Sequence, residues 1–210
     1  MDVPGSNPGA GAVASTLWYY FGMYDFPNWF NITAKANFEA LIPSSLRGNL
    51  EARALQVGAY TGDATEWMAN KTKWTIDDVD TWEGSQEDAH EQIDFTEVES
   101  VYDSRHENNK YVHKWKMTSD SFFNDYAHEP GEYDFIYIDG DHTASQTAKD
   151  GLNALPLLKP GGIIAFDDYT WSSGKGPYYD PAPGIDAFHH ICKDLIELVV
   201  SNSQVWFKKL

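Results

Sequence analysis

One pattern constrains this chain more than any other. Short apolar runs rich in β-favouring residues stop at Gly or Asp and give way to segments of helical spacing. Ala54–Val57 stops at Gly58, Lys73–Val79 at Asp80, Tyr133–Ile138 at Asp139-Gly140, and Ile163–Phe166 at Asp167-Asp168. The YDFIYI run (Tyr133–Ile138) is the clearest strand, being built of Tyr, Phe and Ile. Gly62–Asn70 reads as a helix. So does Ala144–Leu158, with Ala148, Leu152, Leu155 and Leu158 on one side and Pro160-Gly161-Gly162 as its terminator. Tyr111–Met117 adds a strand, and Gly184–Asp194 a last helix. Ile196–Val200 and Gln204–Lys209 form a hairpin across Ser201-Asn202-Ser203. Alternation of this kind predicts an α/β fold: a mostly parallel sheet with helices on both faces and one antiparallel strand at or near an edge. Ligands of such sheets bind in the crevice beyond the carboxyl ends of the strands, so Gly58, Asp80, Asp139 and Asp167 mark the expected site.

The 210 residues suit one domain, expected over 16–210. Residues 1–15, mostly Gly, Pro, Ala and Ser, have little to bury and are expected to be a disordered tail. Residues 16–50 are expected to be a helical segment on the substrate side, with one or two helices over Asp25–Ile42 carrying Trp29, Phe30, Phe38 and Leu41. Fifteen Lys and Arg against 32 Asp and Glu give a net charge of −17, which repels phosphate backbones and anionic membranes. Neither nucleic acid nor a membrane is therefore an expected partner, and no run of about 20 apolar residues is present to span a bilayer. The acidic stretch Glu83–Glu107 reads as a solvated face, with a homodimer contact as the alternative. The lone Cys192 cannot close an internal disulfide and fits a buried helical position. Together with the absence of Lys or Arg before the mildly apolar Ala10–Tyr20, it suggests a cytoplasmic setting.

Gly58-Ala59-Tyr60-Thr61-Gly62 places two glycines four apart between a strand and a helix. Gly58 allows a sharp turn, and Gly62 allows a ligand to approach the helix start. A dinucleotide fingerprint needs glycine where Tyr60 and Asp63 stand, and the bulk of Tyr60 counts against a pyrophosphate. A nucleoside without phosphates fits better. Asp80, 18 residues after Gly62, can accept hydrogen bonds from both ribose hydroxyls.

If the strands ending at Asp139 and Asp167 are neighbours, about 4.8 Å separates them. Asp139, Asp141, Asp167, Asp168 and His142 then crowd one rim, where like charges repel unless a cation sits among them. Carboxylates of Asp139, Asp167 and Asp168 suit Mg²⁺ or another divalent cation, and His142 suits a base working near neutral pH. The alternative is helix capping by Asp141 and loop solvation by Asp168. His189-His190 read as surface or core residues, and His90, His106, His113 and His128 show no ligand spacing.

LQVGAYTGDATEWM (Leu55–Met68), VDTWEG (Val79–Gly84), YDFIYIDGDH (Tyr133–His142) and LLKPGGIIAFDDY (Leu157–Tyr169) stand in an order that resembles the class I S-adenosylmethionine-dependent methyltransferases. The nearest likeness is to the bacterial small-molecule group with IDGDH and FDDY blocks, similar to macrolide-sugar and caffeoyl-CoA O-methyltransferases. The resemblance runs from Pro27–Trp29 to the C-terminal QVWFKK. It implies a Rossmann-like seven-stranded sheet with its last strand antiparallel, and S-adenosylmethionine over the first two strand ends. It implies that Gln56, Gly58, Ala59, Tyr60 and Gly62 shape the methionine and ribose pocket and that Asp80 holds the ribose. Trp82, Ser119, Asp120 and Ser121 would meet the adenine, and Asp139 would close the methionine end. It also implies metal ligands at Asp139, Asp167 and Asp168 and a catalytic base at His142. Two departures stand out: Gln56 occupies a position usually acidic, and Ala64-Thr65 replaces Ser-Thr. DDYTWSSG (Asp167–Gly174) resembles the DN-x-x-W-x-G stretch of the caffeoyl-CoA type, with Asp168 for Asn and one extra residue before Gly174.

The activity so implied is methylation of a small hydroxylated acceptor. Trp29, Phe30 and the loop Thr170–Pro183, with Trp171, Tyr178 and Tyr179, are the expected substrate walls. Two alternatives stand beside it: a metal-independent methyltransferase, and a nucleoside- or dinucleotide-binding protein without methyl transfer, which Gln56 favours. An NAD oxidoreductase is disfavoured by Tyr60.

Overall fold

The computed structural model describes residues 26–85, 87–125 and 129–210. The expected tail at 1–15 and the first part of the N-terminal segment, 16–25, lie outside the described residues. Two short helices, α1 (Trp29–Thr33) and α2 (Lys35–Leu41), lead into β1 (Arg53–Val57), α3 (Asp63–Lys71) and β2 (Thr75–Asp80). Then follow α4 (Phe95–His106), β3 (Val112–Lys116), α5 (Ser119–Asp125), β4 (Tyr133–Ile138), α6 (Ala144–Ala154) and β5 (Leu158–Phe166). The chain closes with α7 (Ala182–Cys192), β6 (Ile196–Ser201) and β7 (Val205–Lys209).

The sheet has seven strands in the order β3-β2-β1-β4-β5-β7-β6. β1 to β5 pair in parallel, and β7 runs antiparallel between β5 and β6. This is the Rossmann-like α/β architecture expected, with the antiparallel strand next to an edge. The order reverses between β1 and β4, so the crevice opens where Gly58 and Asp139 end adjacent strands.

Both faces are covered, which is why the central strands are apolar almost throughout. Leu55, Val57, Ile136, Ile138, Ile164 and Phe166 face the core under α5, α6 and α7. Ala54, Ile76, Phe135, Tyr137, Ala165 and Trp206 face the core formed with α1, α2 and α3. Phe38 sits at the centre of the second core, with Trp67, Phe135, Tyr137 and Trp206 edge-on to it at 5.0–5.4 Å between centroids. Cys192 is buried on α7, as expected. No helix among the described residues is long and apolar enough to cross a membrane.

Three local expectations need correction. The helix from Ala144 ends at Ala154, and Pro160-Gly161-Gly162 lies inside β5 rather than after a helix. A Cβ on Gly162 would stand 2.9 Å from Leu158 Cδ1 and from the Lys159 carbonyl oxygen, and the β4–β5 register slips there. The three residues make a bend at the start of the strand. Of the leucines expected inward, Leu155 and Leu158 are buried but lie past the end of α6, and within α6 it is Leu152 that points out. Leu152 is 37% exposed, while Thr147, Gly151 and Ala154 face inward, because Gly151 lets the rings of Phe166 and Phe188 approach the helix. Finally, the acidic stretch contains α4, a 12-residue helix whose Val98, Tyr102 and His106, spaced by four, are buried. Three inward residues among many charges were too thin a stripe to read.

Candidate active site

The chain leaves β1 at Gly58 with φ +87°, a conformation open to glycine. A Cβ there would lie 1.9 Å from the backbone oxygen of Asp139, so Gly58 also permits the ends of β1 and β4 to touch. Gly62, at φ +81°, forms the N-cap of α3. Its open side is filled by His106 and Tyr102 of α4 rather than left for a ligand, since a Cβ would meet His106 Nε2 at 2.4 Å. The proximity of Gly62 thus serves helix packing.

Asp80 closes this loop. One carboxylate oxygen accepts the backbone N–H of Ala59 at 2.8 Å and of Tyr60 at 2.9 Å, and the other accepts that of Trp82 at 2.8 Å. The loop is therefore held in shape by the acid at the end of the neighbouring strand. Tyr60, itself at φ +49°, packs its ring between Trp29 and Phe95. Trp82 is buried, donates its indole N–H to the Tyr60 carbonyl, and stacks on Tyr102 under Lys114.

Gln56 is buried beneath the loop. Its carboxamide donates to the Gly58 carbonyl and stands 3.2 Å from the Thr65 hydroxyl, which donates to Asp78 at 2.8 Å. Gln56 and Asp78 are register partners on β1 and β2. Burial pushes the Asp78 carboxyl up to about 7, against hydrogen bonds from Tyr102 and Thr65 that lower it. An acid at position 56 would therefore bring a second carboxylate to this fully buried one, which gives the Gln56 departure a physical reason.

At the start of α5, Ser119 and Asp120 both accept from Gln146 of α6, and Lys149 pairs with Asp120 at 2.5 Å. The Ser121 backbone N–H donates to Thr118. Beyond the end of β3, Ser119 and Asp120 are thus tied to α6.

The other half of the rim is a charged cluster. His142 Nε2 stands 3.3 Å from Asp168 Oδ2 and 3.6 Å from Asp139 Oδ1, while its Nδ1 stands 3.1 Å from Glu87 Oε1. Trp171 lies against the imidazole at 5.1 Å. Asp167 is turned the other way. Its oxygens accept the Tyr137 hydroxyl, the Thr33 hydroxyl at 3.4 Å and the Asp168 backbone N–H at 2.8 Å. Asp141 accepts the Thr143 N–H, and the side-chain N-cap of α6 is Thr143 instead of Asp141.

Burial first, and then the proximity of Asp167, holds the Asp139 carboxyl well above the carboxylate range despite His142. The same two causes push Asp168 up to about 6. Burial opposes a charge on His142, yet Asp139, Glu87 and Asp168 outweigh it and hold the imidazole well above its ordinary value. Glu87, which burial alone would raise, is drawn down to about 2 by His142 and Ser85. These acids favour a cation among them, and a protonated His142 supplies one charge there.

The donor set also fits a metal ion. One ligand atom each from Asp139, His142 and Asp168 lies within 4.8 Å of the others, two carboxylate oxygens and an imidazole nitrogen. The structure thus gathers Asp139, Asp168 and His142, and it directs Asp167 to Tyr137 and Thr33.

Of the expected substrate walls, Trp29 packs on Tyr60 and His90, and Tyr178 and Tyr179 are exposed against each other. Phe30 belongs to the core, against Phe38 and Trp67, with an edge on a shallow cavity between α1 and α3 beside Asn31 and Asp63. Two site residues escaped the sequence reading. Tyr137 was legible, because strand alternation places it on the side of Asp139, two residues on. Glu87 carried no signal: it is one acid among many in a loop.

A family model described as a methyltransferase domain matches residues 55–169, more than half of the chain. No curated protein matches in sequence. Among solved structures, an O-methyltransferase from Bacillus cereus in complex with SAH is 17% identical, with 93% of this chain and 97% of that one covered and a TM-score of 0.55. An SAH-bound methyltransferase from Podospora anserina is 14% identical over 99% and 100%, at 0.56. A SAM dependent methyltransferase from Aquifex aeolicus is 16% identical over 89% and 95%, at 0.57. Against a longer methyltransferase from Mesorhizobium loti, this chain spans 50% of the length. At these identities the structures establish a shared fold. The family match spans the loop from Gly58 to Gly62, Asp80 and the acid rim, and on that ground the chain belongs to the methyltransferase-domain family.

Proposed function

We propose that the protein is an S-adenosylmethionine-dependent methyltransferase acting on a hydroxyl of a small molecule, with help from Mg²⁺ or another divalent cation. The observation that carries this reading is the seam at Gly58 and Asp139, where a loop braced by Asp80 abuts a ring of acids around a histidine. The SAH named for the two neighbours from Bacillus cereus and Podospora anserina supports the cofactor.

S-adenosylmethionine supplies the methyl group on a sulfonium when bound, so this chain's tasks are to orient, desolvate and deprotonate. Asp80 Oδ2 already accepts two backbone N–H groups and Oδ1 one, which leaves one acceptor site, on Oδ1, for a ribose hydroxyl. Gly58, Ala59 and Tyr60 form the floor, with Gly62 turning the chain into α3 and Gln56 bracing the floor from below through the Gly58 carbonyl. Trp82 backs the adenine side, and Ser119, Asp120 and Ser121 close it. A divalent cation held by Asp139 and Asp168 would lower the pKa of an acceptor hydroxyl. Asp167 would join as a third ligand only by releasing Tyr137. His142 removes the hydroxyl proton through Nε2, the nitrogen facing Asp139 and Asp168. It does so once the charge of those acids is taken up, since facing them bare it keeps its own proton. Trp29, Trp171, Tyr178 and Tyr179 offer rings on which an aromatic or sugar acceptor stacks.

A second reading has an observation of its own. His142 stands among Glu87, Asp139 and Asp168, so a protonated imidazole can supply a positive charge there and the rim can serve a metal-independent methyltransferase. Calorimetric titration with S-adenosylmethionine and SAH, in Mg²⁺ or in chelator, tests both. Micromolar binding is expected, and metal-dependent turnover of hydroxylated acceptors separates the first reading from the second. An absence of binding to either ligand, with and without metal, would overturn both and leave a domain without methyl transfer.

A further inference from the structure

Beneath the Gly58–Gly62 loop lies a carboxyl group that the proposed chemistry does not use. Asp78, on β2, is fully buried. The Tyr102 hydroxyl at 2.6 Å and the Thr65 hydroxyl at 2.8 Å both donate to its Oδ2, whereas its Oδ1, equally buried, has no hydrogen-bond partner. Among the described residues no cation is paired with it. Its register neighbour on β3 is Lys114, but that ammonium goes to Glu99 and Asp103 of α4. His106 of α4 packs on Tyr102 and turns to the Gly62 carbonyl, where burial holds its imidazole below the ordinary value. Asp77 and Asp80, on either side along the chain, add only like charge. On β1 its register neighbour is Gln56, whose carboxamide reaches the Gly58 carbonyl. One strand spacing, about 4.8 Å, thus lies between Asp78 and the residue that braces the loop.

We propose that Asp78 is a specificity-determining residue, whose buried, unpaired charge makes the pocket favour the sulfonium cofactor over the uncharged thioether left after methyl transfer. This rests on the proposed placing of S-adenosylmethionine over Gly58, Ala59 and Tyr60. S-adenosylmethionine and SAH share the adenine, the ribose and the amino-acid end, and the sulfonium is the one charge by which they differ. Hydrogen bonds to the shared parts cannot tell the two apart, but an electric field can. In a protein interior, opposite unit charges about 10 Å apart still attract strongly enough to change an affinity about tenfold. Oδ1 has no donor beside it to offset the charge, and burial keeps water away. Burial also brings the Asp78 carboxyl to about 7, so near neutral pH a sulfonium above the loop draws it into the ionised form, and an uncharged sulfur does not. The same buried charge that destabilises the free protein thereby favours the unreacted donor and the departure of the spent one.

The test compares Asp78→Asn with the wild-type protein by calorimetric titration with S-adenosylmethionine and with SAH, in chelator at pH 8. Asparagine keeps an oxygen for Thr65 and Tyr102 and removes the charge. The variant is expected to bind S-adenosylmethionine about tenfold more weakly than the wild-type protein, with SAH changed by less than about twofold. A purely structural role would move both affinities together. Titrations at pH 7 in buffers of different protonation heat give a second readout. The wild-type protein is expected to release more protons with S-adenosylmethionine than with SAH, and the variant to lose most of that difference. An equal change for both ligands, or no change for either, would overturn the proposal and leave Asp78 as a tie between the sheet, α3 and α4. Binding of neither ligand by the wild-type protein would instead overturn the functional reading, and this inference with it.

Discussion

At the ends of β1 and β2, the carboxylate of Asp80 accepts three backbone N–H groups and thereby sets the shape of the Gly58–Gly62 loop. At the ends of β4 and β5, a few ångströms along the same rim, the carboxyls of Asp139 and Asp168 are raised by burial and by Asp167, and the acids around His142 hold its imidazole above its ordinary value. The first region is preorganised by donors supplied by its own chain. The second is held together against repulsion by the packing around it, and it reaches low energy only with a proton or a cation among its acids. Sites built for chemistry carry such a cost, whereas a binding loop can be satisfied before its ligand arrives.

The sharpest way to break the contrast is at the seam. Gly58→Ala places a methyl group 1.9 Å from the Asp139 carbonyl oxygen at a φ that disfavours it. A loss of about 3 kcal/mol or more in denaturant unfolding is expected, with both halves of the rim disturbed. A tolerated alanine would mean that the two regions do not depend on each other.

Asp78 qualifies the contrast, because an electrostatic cost also lies beneath the loop. Its carboxyl titrates near pH 7 in the fold, above its ordinary value of 3.8, so the folded state favours the protonated form. The penalty for its charge is absent below about pH 4, grows as pH rises toward 7, and is complete above it. Asp78→Asn is expected to be nearly neutral at pH 4.5 and stabilising by about 2 kcal/mol at pH 8. Equal effects at both pH values would show that burial costs this group little. Asp168, raised to about 6, acts on stability with the same sign, so the wild-type protein is expected to be more stable at pH 5.5 than at pH 8.

Tyr137→Phe probes the acid rim alone. The phenol donates to Asp167, which is buried and has few other donors. A loss of about 1 kcal/mol in denaturant unfolding is expected. The smallest effect belongs to Leu152→Ala on the solvent side of α6, expected to shift stability by less than about 0.5 kcal/mol. A larger loss would mean that another surface covers that side of the helix.

Much of the scaffold was legible because its signals are local. YDFIYI announced β4 residue for residue, and the hairpin around Asn202 put an antiparallel strand next to the sheet edge. The strand-end positions Gly58, Asp80, Asp139 and Asp167 were legible for the same reason. Leu152 was misplaced on the inner side of α6, since leucine is a stronger apolar signal than Gly151, yet only glycine lets Phe166 and Phe188 approach. α4 went unread because tertiary contacts of Val98, Tyr102 and His106, and no broad apolar stripe, stabilise it.

The sequence by itself determined the strand–helix order, the rim on which chemistry sits and the residue types gathered there, since periodicity and chain breaks act over a few residues. Only the tertiary structure decided how those groups face one another: that Asp167 turns to Tyr137, that Gln56 sits beside a buried Asp78, and that Glu87 meets His142. Those pairings join residues tens of positions apart, and their geometry follows from the path of loops and the packing of helices, which no local pattern encodes.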